Sequence, residues 1–227
     1  MQTAATTSDL LEHQLGLADI ILEPGYRPPP IALPTARPIQ GEILPPFITE
    51  GLHPSVTEAR IATLNWCRSI RHNAQPAYWL TLFGSSGCGK TFLARHARSY
   101  LRNHGIDCQL WNWGVAFAKL NEPGSELTTH LIHLPALIID DIGTGYTLSE
   151  KSAELHATRL YEILEARISK YTLLTSNLNP QQIRERLDAR IASRLFRGNN
   201  QIIDLTHAED YSYLQYLKNK HNNHTTP

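Results

Sequence analysis

The feature that most constrains this 227-residue chain is Gly84-Ser85-Ser86-Gly87-Cys88-Gly89-Lys90-Thr91, a full match to GxxxxGK[ST]. It follows the apolar run Tyr78–Phe83 (YWLTLF) and opens a stretch with helical apolar spacing. A strand that turns through glycines into a helix aims backbone amides and the positive end of the helix dipole at one point, which suits phosphate. Lys90 is expected to neutralise the β- and γ-phosphates of a nucleoside triphosphate, and the Thr91 hydroxyl to bind Mg²⁺. Gly84, Ser85, Ser86, Gly87, Cys88, Gly89, Lys90, Thr91 and Phe92 are therefore the expected nucleotide-binding residues, with ATP and Mg²⁺ as ligands. Cys88 is either a small spacer or a thiol whose pKa the helix start lowers.

The rest of the chain repeats the alternation that the loop demands. Apolar runs at Tyr78–Phe83, Asp107–Trp113, Leu134–Asp140, Tyr171–Ser176 and Gln201–Leu205 predict strands. Helical spacing covers Pro54–His72, Thr91–His104, Gly114–Leu120, Leu148–Lys170 and the region Pro180–Arg197. Strands alternating with helices predict an α/β fold, a five-stranded parallel sheet covered on both faces. The three cysteines, Cys67, Cys88 and Cys108, form no CxxC pair, which argues against a zinc site or disulfide framework and fits a reducing cytosol. No signal-peptide pattern and no apolar run near the roughly 20 residues needed to cross a bilayer is present, so a soluble cytoplasmic protein is expected.

Ala136-Leu137-Ile138-Ile139-Asp140-Asp141 is an apolar strand ending in carboxylates. Asp140 is expected to hold Mg²⁺ with Thr91, as Walker-B aspartates do. Asp141 follows, where many such ATPases carry a glutamate that orients the attacking water; aspartate is one methylene shorter, so slow hydrolysis is expected. Thr175-Ser176-Asn177 ends the next strand on the edge where parallel sheets place ligands, and Asn177 either contacts the γ-phosphate or the water, or belongs to a plain turn. Residues 184–197 carry five arginines against two acids. On one continuous helix Arg186, Arg190, Arg194 and Arg197 share a face, serving as fingers on a neighbour's γ-phosphate, as a DNA contact, or as a solvated surface.

The front of the chain differs in kind. Residues 1–52 hold six carboxylates against Arg27 and Arg37, whereas residues 58–102 hold seven Lys and Arg against Glu58 alone, within a net charge of zero. Residues 8–22 read as an amphipathic helix capped by Ser8 or Asp9, with Leu11, Leu15, Ala18 and Leu22 on one stripe. Nine of the fourteen prolines fall in residues 24–54, a stiff linker that holds this helix off the main domain or lets it fold back. The expected organisation is a helix over 1–23, a linker over 24–53, the ATPase domain over 54–218 and a polar tail over 219–227.

Taken in order, GSSGCGKT, LIIDDIG, LLTSNL and RLDARIASRLFRG resemble the DnaC/IstB-like branch of AAA+ ATPases over roughly residues 50–215. The resemblance implies a P-loop AAA+ core. It makes Asn177 the sensor-1 residue and Arg194 the arginine finger, with Arg190 a second candidate, and so implies a homo-oligomer. Lys90, Asp140, Asp141, Asn177, Arg194 and Arg190 are then the catalytic set, and Thr91 and Asp140 the metal ligands. Only about thirty residues follow Arg194, too few for a full helical lid, and residues 1–52 lack the cysteines of the zinc-binding domain that some loaders carry. The implied activity is that of an ATP-dependent helicase loader. In that reading residues 8–22 bind a hexameric DnaB-type replicative helicase, and the ATPase domains help place single-stranded DNA with modest affinity. An IstB-like transposition ATPase acting on duplex DNA with a transposase, and an adaptor that binds nucleotide without turning it over, are the other readings. Arg95, Arg98, Arg102 and Lys119 are the candidate DNA contacts. No basic patch interleaved with aromatics is legible, and the four tryptophans read as packing rather than base stackers.

Overall fold

Each of the five predicted strands finds a place in one parallel sheet. The computed structural model describes residues 52–143, 150–211 and 213–214. The helix expected at 8–22, nearly all of the proline-rich linker and the tail at 219–227 lie outside the described residues. Strands β1 (Trp79–Phe83), β2 (Cys108–Asn112), β3 (Ala136–Asp140), β4 (Tyr171–Ser176) and β5 (Gln201–Asp204) lie in the order β2-β3-β4-β1-β5. Every pairing is parallel. The three central strands are buried at every position, which is why they read as unbroken apolar runs, while β2 and β5 at the edges are partly exposed.

Side chains alternate between the two faces of the sheet, and each face has its own core. Helices α1 (Pro54–Arg71) and α2 (Lys90–Asn103) cover Leu80, Leu82, Ile138, Leu173 and Ile203. The opposite face presents Trp79, Leu137, Ile139 and Leu174 to α3 (Trp113–Leu120), α5 (Glu150–Glu165), α6 (Pro180–Arg186) and α7 (Ala189–Leu195). A short helix, α4 (Leu127–His133), lies between α3 and β3. Sequence reasoning gave it no element, because only Leu131 within it is buried and one apolar contact makes no periodicity.

The region Pro180–Arg197 departs from the single helix on which the arginine stripe was drawn. It is two helices. Asp188 sits in extended conformation between them, and its side chain accepts from the Arg190 amide at 2.7 Å, capping α7. Arg186 consequently belongs to α6, Arg190 and Arg194 to α7, and Arg197 to the turn beyond, so the four do not share one helical face.

Between α5 and β4, the side chain of Arg167 is completely buried, and among the described residues no carboxylate pairs with it. Its guanidinium donates to the carbonyls of Leu131 (2.8 Å), Leu134 (2.9 Å) and Tyr171 (2.7 Å) and to the Thr172 hydroxyl (3.0 Å). Lys170 Nζ adds a bond to the Ile132 carbonyl at 2.6 Å. Two cations thus satisfy the carbonyls that α4 leaves open at its C-terminus. Burial lowers the Arg167 pKa to about 10, which still leaves it charged at neutral pH. Replacing it by methionine strands several buried carbonyls, each costing about 1–3 kcal/mol. We expect Arg167→Met to lose about 3 kcal/mol or more in urea unfolding, with Arg167→Lys recovering only part of the loss.

Candidate nucleotide site

The strand register brings the chemistry to one edge of the sheet. Phe83 stands opposite Ser176, and Asn112 opposite Asp140, so the chain segments leaving β1, β3 and β4 emerge together. Gly84 turns away from β1 at φ 150, and its amide donates to the Ser176 carbonyl at 3.1 Å. A Cβ there would lie 2.5 Å from the Leu205 carbonyl carbon, so the close approach admits only glycine. The loop closes at Gly89, φ 96, which caps the start of α2. This cradle of turned amides at a helix N-terminus fits a phosphate chain.

Lys90 is buried and folded back on the loop. Its ammonium donates to the carbonyls of Gly84 (2.8 Å) and Ser85 (2.6 Å) and lies 3.5 Å from Cys88 Sγ. Thr91, one residue on, donates to both oxygens of Asp140 at 3.0 and 3.1 Å. From the neighbouring strand, Thr175 Oγ1 donates to Asp140 Oδ1 at 2.6 Å and itself accepts from the Asp141 amide at 2.8 Å. Asn177 Nδ2 donates to Asp141 Oδ1 at 3.1 Å. The five residues named from sequence, Lys90, Thr91, Asp140, Asp141 and Asn177, are therefore brought together, and Thr175 joins them. Thr175 was visible in the TSN run, but nothing in the sequence showed that its hydroxyl spans β4 and β3.

Asp141 holds a left-handed backbone, φ 61, tolerated by Asp and Asn better than by most residues. Burial first, and then the charge of Asp140, raise its pKa, while Lys90 acts in the opposite direction. Among the described residues no group of three or more His, Cys, Asp or Glu forms a metal cage. The Thr91 hydroxyl beside the Asp140 carboxylate instead offers the sparse oxygen set from which Mg²⁺, keeping most of its waters, is commonly held.

Two parts of the site escaped sequence reasoning or lie apart from it. The segment after β5 returns to the loop: the Tyr211 amide donates to the Gly87 carbonyl at 3.1 Å. A Cβ on Gly87 (φ 81) would stand 2.2 Å from the Asp210 carboxyl carbon, so that carboxylate rests on the loop. No pattern links residues so far apart in sequence. Arg194 and Arg190 form their own cluster with α5. Arg194 Nε donates to Glu165 at 2.7 Å, and its Nη2 lies 3.5 Å from the Tyr161 hydroxyl. Arg190 pairs with Asp188 at 2.7 Å and stacks 4.3 Å above the Tyr161 ring. Phe92, on the first turn of α2, is 40% exposed, with its ring against His96.

No protein-family profile and no curated protein matches the sequence. Solved structures match in shape. A DNA replication initiation factor superposes with a TM-score of 0.55 at 20% identity, over 72% of this chain and 50% of that one. The DnaC helicase loader superposes with 0.53 at 21% identity, over 64% of this chain and 89% of the loader. The replication initiator DnaA bound to AMPPCP and single-stranded DNA gives 0.52 at 20% identity, over 71% and 51%. These likenesses show the fold, a five-stranded parallel sheet flanked by helices as in these replication proteins. The chain spans about half the length of the initiation factor and of the initiator, and most of the length of the loader. The neighbours agree with the DnaC/IstB-like resemblance drawn from the motifs. Among the described residues no helix is long and apolar enough to cross a membrane.

The raised pKa of Asp141 has a stability consequence with a definite sign. The folded state resists its charge, so the penalty is present above its raised folded pKa and disappears as pH falls below the ordinary value of 3.8. Asp141→Asn keeps an acceptor for Asn177 and tolerates the same φ. We expect it to raise the melting temperature at pH 7, with the gain shrinking on acidification and gone below pH 3.8. A melting temperature at pH 7 no higher than the parent's would refute the attribution.

Proposed function

We propose that this chain is an ATP-dependent helicase loader: it binds a hexameric replicative helicase of DnaB type and assists its placement on single-stranded DNA. The observation that carries the ATPase part is the Asp140 carboxylate joined to Thr91 and Thr175 beside Lys90. The loader part is supported by the four motifs in order and by a fold likeness that extends over 89% of the DnaC loader. In this reading residues 8–22 are the helicase-binding helix, 24–53 its tether and 54–218 the ATPase domain of a cytoplasmic protein.

The positions of the residues support the chemistry proposed for each. The loop amides from Gly84 to Thr91 cradle the phosphates, with Phe92 alongside. Lys90 exchanges the Gly84 and Ser85 carbonyls for phosphate oxygens, a better partner for an ammonium ion. Bound Mg²⁺ would neutralise charge on the phosphates, and Thr91 and Asp140 are the residues to hold it. Thr175 keeps Asp140 aimed at that point. Asp141 orients the attacking water and Asn177 fixes Asp141, with turnover slow because the carboxylate is short. Arg194, with Arg190 as the second candidate, acts on the site of a neighbouring copy, which makes the working form a homo-oligomer.

Two measurements test this. Lys90→Ala removes a charged partner worth about 1.5–3 kcal/mol, so ATP binding should weaken about 10- to 100-fold. The intact chain should co-purify with its host's replicative helicase, and a version lacking residues 1–46 should not. Failure of both versions to bind, together with filaments on duplex DNA, would replace this reading by the transposition ATPase.

A further inference from the structure

The glycine-rich loop carries a contact that nucleotide binding by itself does not need. After β5 the chain runs back to the loop through residues 206–211. Leu205 and Ala208 are buried in the core beneath α1 and α2, which fixes the path of this segment. Its Glu209 carboxylate accepts from the His53 amide at 3.1 Å, and His53 is the residue that caps α1. Tyr211 donates its own amide to the Gly87 carbonyl at 3.1 Å. The segment is thus tied on one side to the start of α1 and on the other to the middle of the loop.

Asp210 stands between these ties. Its carboxylate packs against Gly87 on the side where any other residue would carry its Cβ. Oδ1 accepts from the Tyr213 amide at 3.1 Å, and the Asp210 carbonyl accepts from the Leu214 amide at 3.0 Å, so Asp210 also caps the turn that follows. A cap needs only an acceptor, which Asn or Ser supplies as well as Asp. The charge has a separate effect. The loop turns its amides and the N-terminus of α2 toward anions, and a carboxylate held against it takes up part of that attraction and repels a second anion. A triphosphate brings several negative charges to the same place.

We infer that Asp210 is a built-in brake on nucleotide binding. The segment after β5 holds its carboxylate on Gly87, where it lowers the affinity of the loop for phosphate chains. Because the repulsion grows with the charge of the ligand, a triphosphate is held back more than a diphosphate. The inference rests on reading residues 84–91 as a phosphate site and adds a regulation of that site. It holds whichever partner the protein serves.

The test uses the full-length chain and measures ATP and ADP binding by titration calorimetry in low and high salt. Asp210→Asn and Asp210→Ser each remove the charge and keep a capping acceptor, and melting temperatures check that both are folded. Both should bind ATP about 3-fold or more tightly than the parent in low salt, with a smaller gain for ADP. The gain should shrink in high salt as screening removes the repulsion. Asp107→Asn makes the same change of net charge just before β2, at the end of the sheet away from the loop, and should leave ATP affinity unchanged. Unchanged ATP binding in both Asp210 variants overturns the brake. So does weaker binding, which would make Asp210 a contact to the ligand, or an equal gain from Asp107→Asn, which would make the effect one of net charge. If neither the parent nor the Asp210 variants bind nucleotide, the phosphate-site reading fails and the brake with it. Binding by the parent that the Asp210 variants do not alter sinks the brake alone.

Discussion

The site depends on one buried carboxylate. Asp140 closes β3, is 6% exposed, and receives hydrogen bonds from Thr91 on the helix after the loop and from Thr175 on β4. A carboxylate taken out of water needs such partners, since burying it without them would destabilise the fold. The partners it found are the ones that define the site. Thr91 ties the first turn of α2 to β3, and Thr175 ties β4 to β3 while receiving the Asp141 amide. The position of the phosphate loop relative to both acidic residues is thereby fixed by hydrogen bonds between buried groups.

At the other end of the same strands a second buried charge has a structural role. Arg167 holds the segments that lead into β3 and β4 through their carbonyls and the Thr172 hydroxyl. A guanidinium has five N–H donors in a fixed plane, so it can gather carbonyls from α4, from the turn before β3 and from β4 at once. The sheet is pinned by a carboxylate at the ends of the strands beside the glycine-rich loop and by a guanidinium at the opposite ends. Between these points the three central strands are covered by apolar side chains on both faces.

The parts of this arrangement legible in the sequence are those written in contiguous residues. The loop, the strand LIIDD and the strand LLTS announce themselves because fully buried parallel strands must be unbroken apolar runs, and because glycines and Lys-Thr at a helix start have a local reason to be there. Helix α4 was missed since one buried leucine leaves no periodic trace. The arginine stripe was drawn on one helix because charge spacing is blind to a cap. Asp188 takes an extended conformation that interrupts the helix, and only the backbone shows it.

The sequence by itself determined the parallel α/β class, the five strands, the glycine-rich loop and the acidic pair at the end of β3. It could do so because strand burial, loop geometry and helix starts are set by neighbours in the chain. The tertiary structure alone decided that Thr175 holds Asp140, that Asp210 rests on Gly87 and that Arg167 binds carbonyls from three segments. Each of these joins residues from different elements. Hydrogen bonds and charge depend on distance in space, which strand order and register set and which spacing along a chain does not record.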